Sequence, residues 1–138
     1  MIRRTALALA LAIAAGAPAF AGSPQDGVLA HYLAEARKAD PAFAGFQPAR
    51  GEALFRSRHT VNPDAASCTT CHTDNPAAMG RHAKTGRPID PVAVSANPKR
   101  FTDLAEVEKR FTRDCKSIIG RDCTAAEKGD YVAFMMSK

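Results

Sequence analysis

The chain has 138 residues, 46% hydrophobic and 24% charged, with Lys and Arg exceeding Asp and Glu by 19 to 14 for a formal charge of +5. That length allows one small domain. With no tryptophan and no run of lysine or arginine, the mild basicity offers no nucleic-acid surface.

The first segment, "MIRRTALALALAIAAGAPAFAGSPQ", has two arginines, an apolar run from Thr5 to about Ala15, and the small-residue triplet Ala19-Phe20-Ala21. This is the layout of a secretory signal peptide cleaved after Ala21. The run falls short of the roughly 20 apolar residues that span a bilayer. Residues 1–21 are therefore expected to be a signal peptide and residues 22–138 an exported domain with no membrane span after processing. Export places all four cysteines, Cys68, Cys71, Cys115 and Cys123, in an oxidising compartment.

Downstream, "GVLAHYLAEARKA" from Gly27 places Val28, Leu29, Tyr32, Leu33 and Ala36 at helical spacing. Pro41, Gly45 and Pro48 break that pattern, and "ARGEALFRSRH" resumes it with Leu54 and Phe55 as the large apolar contacts. The loop "TVNPDAAS" leads into "CTTCH", Cys68 to His72. From Thr73 to Lys99 the chain is rich in Pro, Gly and Asn without a sustained period. An ordered loop of that length calls for a function or a ligand to pack on. "FTDLAEVEKRFTRDCKSII" predicts a strongly amphipathic helix, its stripe formed by Leu104, Val107, Phe111, Cys115 and Ile118. Thr102 or Asp103 can cap its start, and Gly120 suits its end. Thr124 and Glu127 stand in capping-box spacing before a last helix whose apolar contacts are Tyr131, Phe134 and Met135. No alternating strand pattern of useful length occurs, so the predicted class is all-α.

The pentapeptide "CTTCH" has three chemical readings. Structural zinc needs four N or S ligands. Here Cys115 and Cys123 lack a close Cys-x-x-Cys spacing, and His31, His59 and His82 are scattered. A thioredoxin-like redox pair needs a βαβ setting, and no strands are predicted. Covalent haem attachment needs two thiols that reach two vinyl groups and an adjacent imidazole for the iron. Cys68-x-x-Cys71-His72 supplies all three within five residues. One haem c is the expected cofactor, with Cys68 and Cys71 as attachment points and His72 as the proximal iron ligand. Its apolar face would also give a small chain with few large side chains something to fold around. Cys115 and Cys123, separated by "KSIIGRD", are then an even leftover and are expected to form a local disulfide. Two buried free thiols are the alternative.

Gly51-x-x-Leu54-Phe55, then Cys68-x-x-Cys71-His72, then a C-terminal helix with aromatic residues resembles class I cytochrome c. More specifically, "TGRPIDPVAVSANPKRFTDLAEVEKRF", "RDCKSIIGRDCTAAEKGD" and "CTTCH" resemble the Sphaeroides-haem-protein-like cytochromes over nearly all of residues 51–138. The resemblance implies a helical fold wrapped around one covalent haem in a periplasmic monohaem protein. It also implies an Asn as distal iron ligand that leaves on reduction and admits oxygen or nitric oxide. A disulfide beside that ligand is implied as well, and the redox partners would be a dihaem cytochrome c and a membrane cytochrome b. The position matching the ligand is Asp114, in Arg113-Asp114-Cys115, where this chain departs from the pattern.

Several residues compete for the other side of the iron. A Met ligand would make a conventional carrier of raised potential. Met79, however, is close behind His72, and Met135 and Met136 belong to the last helix. Asp114 lies on the same stripe as Leu104, Val107 and Phe111. A carboxylate there is costly to bury without compensation, which ferric iron would supply. The ordinary reading of Asp114 is an edge residue solvated or paired with Arg113, Lys116 or Arg121. His82 in the long loop is the second candidate, as imidazole is a good iron ligand. Asn97, before Pro98, reads as a turn residue.

The leading expectation is a monohaem carrier of single electrons with a displaceable distal ligand. Lys84, Lys99 and Lys109 are candidates to steer an acidic redox partner, against the plainer reading of scattered surface charge. Binding or reduction of a diatomic gas at an openable iron is the alternative. Peroxidase-like chemistry has less support, since no distal His/Arg pair can be placed.

Overall fold

A computed structural model describes residues 22–138. The expected signal peptide and its cleavage after Ala21 lie outside the described residues. Helices α1 (Asp26–Ala39), α2 (Pro48–Arg56), α3 (Thr69–His72), α4 (Leu104–Ile118) and α5 (Ala125–Met136) carry the fold, with a hairpin of β1 (Gly80–Arg81) and β2 (Pro88–Ile89) between α3 and α4. The architecture is all-α, as the helical periodicity predicts. No helix among the described residues is long and apolar enough to cross a membrane.

Each long helix starts and stops for a local reason. Asp26 accepts hydrogen bonds from the Ser23 N–H and hydroxyl, tying down the start of α1. Val28, Tyr32 and Ala36, one turn apart, form its buried stripe. Pro48 sits in the first turn of α2, where its missing N–H is no loss. Asp103 caps α4 by accepting from the Glu106 N–H at 3.1 Å, so the cap falls to Asp103 and not Thr102. Thr124 and Glu127 form the reciprocal capping box of α5.

Helix α5 is the centre of the packing. It lies across α2 and α1 and buries Tyr131, Val132, Phe134 and Met135. Gly51 sets the α2–α5 crossing: a Cβ there would stand 2.0 Å from the Asp130 carbonyl oxygen, so the two backbones touch only because the side chain is absent. Asp130 itself is 4% exposed, and Arg50 compensates its charge at 2.6 and 2.9 Å while the Gln47 N–H donates at 2.7 Å. Around Tyr131 the rings of Phe55, Phe101 and Phe111 stack edge-to-face at 5.5–6.2 Å.

A second polar contact joins three helices. Tyr32 of α1 donates to Glu108 of α4 at 2.6 Å, and Lys128 of α5 donates to both oxygens of the same carboxylate at 2.9 and 3.0 Å.

Between α3 and α4 the structure adds a feature without a sequence signal. The hairpin pairs Gly80 with Ile89 and Arg81 with Pro88. Two residues per strand are too few to show alternation. The rest of that segment is held by its backbone. The Val92 and Ala93 N–H groups donate to the Pro76 carbonyl at 3.0 and 2.9 Å, and the Val94 N–H donates to Met135 at the end of α5. Gln25 reaches the Pro98 and Arg100 carbonyls, both at 2.9 Å. The segment is thus laid on the domain by main-chain contacts as well as by any face it packs on.

Candidate functional site

Helix α3 is a single turn with Cys68 at its N-terminal boundary and His72 at its end. Ser67, 1% exposed, pins the entry through its hydroxyl to Thr69 Oγ1 at 2.6 Å. The His72 N–H donates to the Cys68 carbonyl at 3.0 Å and closes the turn. Thr73 follows at φ 62° and ψ 173°, a backbone region that β-branched residues avoid. Its hydroxyl donates to the Asn75 carbonyl and accepts from the Asn75 N–H, which holds the abrupt exit from the turn.

The turn presents two thiols and an imidazole together. Cys68 and Cys71 are both free and half-buried. Burial, reinforced by the nearby Asp114 carboxylate, pushes the Cys68 thiol up to about 12. The Ala83 N–H, from the hairpin turn, points at Cys71 Sγ at 3.3 Å. Burial lowers the His72 imidazole below its usual value, and Arg100 and Arg110 add to that while Asp114 opposes it. The ring is neutral at pH 7 and, among the described residues, takes part in no hydrogen bond, which leaves its lone pair for a ligand. Gly80 lies flat on this turn: a Cβ there would meet the Cys71 carbonyl oxygen at 2.2 Å. Free thiols, an uncommitted neutral imidazole and a bare-backbone cradle fit covalent haem.

The competing readings of the motif lack their other parts. No group of three or more His, Cys, Asp or Glu side chains that could hold a metal ion occurs among the described residues. Cys115 and Cys123 are joined in a disulfide with Cα atoms 5.8 Å apart. The strands of a thioredoxin-like fold are absent among the described residues, where the one sheet is the short hairpin.

The other residues singled out in the sequence fall in distinct places. Asp114 is half-buried on α4, beside the disulfide, with its carboxylate gripped by Arg113 at 2.6 and 3.1 Å. Its charge is felt at Cys68, His72 and the buried Tyr131. His82 is exposed in the hairpin turn, where its Nδ1 accepts from the Thr85 N–H at 3.2 Å. Met79 is 54% exposed at the foot of β1, while Met135 is fully buried in the core and Met136 packs at its edge. Asn97 is a turn residue whose carbonyl accepts from the Arg100 N–H.

Two arginines at the site carry no recognisable motif. Arg100 donates to the Pro91 and Asp90 carbonyls at 3.0 and 2.8 Å, and with Arg110, Lys99, Pro88 and Ile89 it lines a cleft of about 470 Å³. Only their place in the fold brings them near His72.

A helical shell gathered on a Cys-x-x-Cys-His turn, with both thiols free and the imidazole uncommitted, defines a c-type cytochrome. Residues 41–135 match a family model described as "Domain of unknown function (DUF1924)". The chain belongs to that family and, within the c-type cytochromes, to the Sphaeroides-haem-protein-like group, whose cofactor is one covalent haem c. It is 47% identical over 130 residues to the cytochrome c-type protein SHP of Cereibacter sphaeroides, covering 92% of this chain and 94% of that protein. It is 37% identical over 108 residues to cytochrome c'' of Methylophilus methylotrophus, covering 78% and 75% of the two chains. Among solved structures, oxidised SHP, described as an oxygen binding cytochrome c, superposes with a TM-score of 0.75 at 43% identity over 84% of this chain and 98% of that one. Oxidised cytochrome c'' gives 0.73 at 34% identity over 83% and 94%.

Proposed function

We propose that this c-type cytochrome is a periplasmic carrier of single electrons whose distal iron ligand, Asp114, is displaceable. The carrying observation is the attachment turn itself, which sets two free thiols and His72 on one helical turn. Asp114 is half-buried on α4 beside the disulfide. Bound haem would supply a one-electron couple.

The chain's own residues set how that couple is used. Cys68 and Cys71 would hold the haem as thioethers, each by addition of S–H across a vinyl group, which needs no oxidant. His72 would ligate the iron. Tyr131 and Phe111 belong to the buried core against which Cys68 packs. Asp114 would be a hard anionic ligand, one that favours the ferric state over the ferrous. Arg113 gives the carboxylate a second partner, the one it holds in this structure. That pair would give Asp114 a place to rest whenever it is not held by the iron. His82 is the other residue proposed to reach the iron, and Asp114 is preferred because its helix faces the buried aromatic cluster. By the same family resemblance, the electron donors are a dihaem cytochrome c and a membrane cytochrome b.

Diatomic-gas binding is the second reading. It is favoured by the relatives: oxidised SHP is described as oxygen binding, and the solution structure of cytochrome c'' concerns haem-ligand detachment. Optical spectra of the oxidised and reduced holoprotein, with and without carbon monoxide, test both. A displaceable Asp114 predicts a ferric spectrum that changes in Asp114→Ala, together with rapid carbon monoxide binding after reduction. A six-coordinate ferrous spectrum indifferent to carbon monoxide would remove the displaceable ligand and the gas reading with it.

A further inference from the structure

The segment from Pro76 to Ile89 holds Arg81, His82, Lys84 and Arg87 and no carboxylate, and all four side chains are exposed. Among the described residues none of Arg81, Lys84 and Arg87 forms an ion pair; Arg81 is fixed instead by donating to the Gly86 carbonyl at 2.6 Å. The basic surface does not stop at the hairpin. Pro88 and Ile89 share their cleft with Lys99, Arg100 and Arg110, and Asp90 is the one carboxylate lining it. An exposed apolar side chain, Met79, stands at the foot of β1.

The placement of this patch is what makes it more than solvated charge. Its backbone rests on the attachment turn at two points, Gly80 against the Cys71 carbonyl and Ala83 N–H against Cys71 Sγ. The cation-rich surface is therefore the part of the protein that lies against Cys71, one of the two expected haem attachment points. An apolar contact rimmed by unpaired cations is the anatomy of a weak, electrostatically steered interface.

We propose that the hairpin with its flanking cleft is the docking face for an acidic electron-transfer protein, seated with its carboxylates on Lys84, Arg87 and Lys99 and an apolar contact on Met79. The proposal rests on the electron-carrying reading above. Arg81 orders the hairpin through Gly86, and Lys84 and Arg87 supply free charge. A membrane of anionic lipid offers similar charge but no complement to the cleft beside the hairpin, so a protein partner is preferred.

The test uses the oxidised holoprotein and a reduced, acidic plant-type [2Fe–2S] ferredoxin as the probe donor, followed by stopped flow at low ionic strength. Lys84→Glu with Arg87→Glu should slow the second-order rate by about tenfold or more, with the gap closing as salt is added. A charge-matched control on α1, Arg37→Glu with Lys38→Glu, should change it less than about twofold. Reduction by uncharged hydroquinone and the optical spectrum should be the same in all three proteins. Equal slowing by both pairs, or none by either, overturns the docking face while leaving electron transfer in place. Loss of binding to phosphatidylglycerol vesicles with an unaltered ferredoxin rate assigns the patch to a membrane and also overturns it. Failure of every form to accept electrons from either reductant removes the electron-carrying reading and the docking face together.

Discussion

Asp114 and Arg113 are chain neighbours on one helix, and their side chains nevertheless close a two-point ion pair at 2.6 and 3.1 Å. The pair is partly exposed, so its own contribution to stability is small, on the order of 0–1 kcal/mol. A carboxylate held that weakly can be exchanged for a stronger partner. Asp114→Ala is expected to alter the ferric absorption spectrum and spin state, while the protein's mass still shows one attached porphyrin. An unchanged spectrum would take Asp114 out of the coordination sphere. Sequence reasoning could reach this residue because it sits on an apolar stripe and matches a ligand position in a resembling family. It could not reach Thr73 or Arg100. The left-handed backbone of Thr73 has no residue signature, since glycine or asparagine is what such a position usually shows. Arg100 acts through a fold that carries a distant loop back to the attachment turn.

Among the elements, the crossing of α2 and α5 tolerates the least change. A methyl at Gly51 would meet main-chain atoms of Asp130 and the Phe134 Cβ at 2.8 Å, none of which can swing aside. Gly51→Ala should destabilise the fold by about 3 kcal/mol, at the upper end for an overpacked core. Urea unfolding checks this, and a loss under about 1 kcal/mol would show that the helices can separate at no great cost. The tie between α1, α4 and α5 through Glu108 is softer and depends on pH. Partial burial pushes the Glu108 carboxyl up, but the hydrogen bonds from Tyr32 and Lys128 and the Lys128 charge outweigh it and hold the group below its usual value. Its folded value lies below its unfolded one. The stabilisation is therefore complete above the ordinary carboxylate range, about pH 4–5, and fades as pH falls through the folded value. Wild type should accordingly be more stable than Glu108→Gln at neutral pH, with the gap narrowing in acid. A gap that stays constant down to about pH 3 would mean that the tie acts by shape alone. Helix periodicity and capping residues made α1, α4 and α5 legible, and the capping box was visible as Thr124 and Glu127. The three-helix tie was not, because nothing local marks Tyr32, Glu108 and Lys128 as partners.

For the molecule as a whole, helical class and attachment chemistry were readable from periodicity and one pentapeptide, but the course of the chain from Thr73 to Lys99 was not. That stretch follows carbonyls on α5 and near the attachment turn, and backbone acceptors leave no trace in residue type. The disulfide joins the last turn of α4 to the residue just before the α5 cap. Replacing Cys115 and Cys123 together by serine should lower stability by about 2–3 kcal/mol, the chain-entropy estimate for so short a loop. A loss near zero would place the benefit of the bridge elsewhere, in holding Asp114 at its angle.

The shortness of that bridge bears on how the protein is made. Four thiols can pair in three ways, and two of them cross-link Cys68 and Cys71 to Cys115 and Cys123, leaving no sulfur for the porphyrin. Cys115 and Cys123, eight positions apart, close a far shorter loop than any such cross-link. That favours the native bridge and leaves Cys68 and Cys71 as the one dithiol to be kept reduced. Cysteine spacing thus guards against exchange between the two pairs, while closure of the attachment pair on itself is left for the cell to prevent.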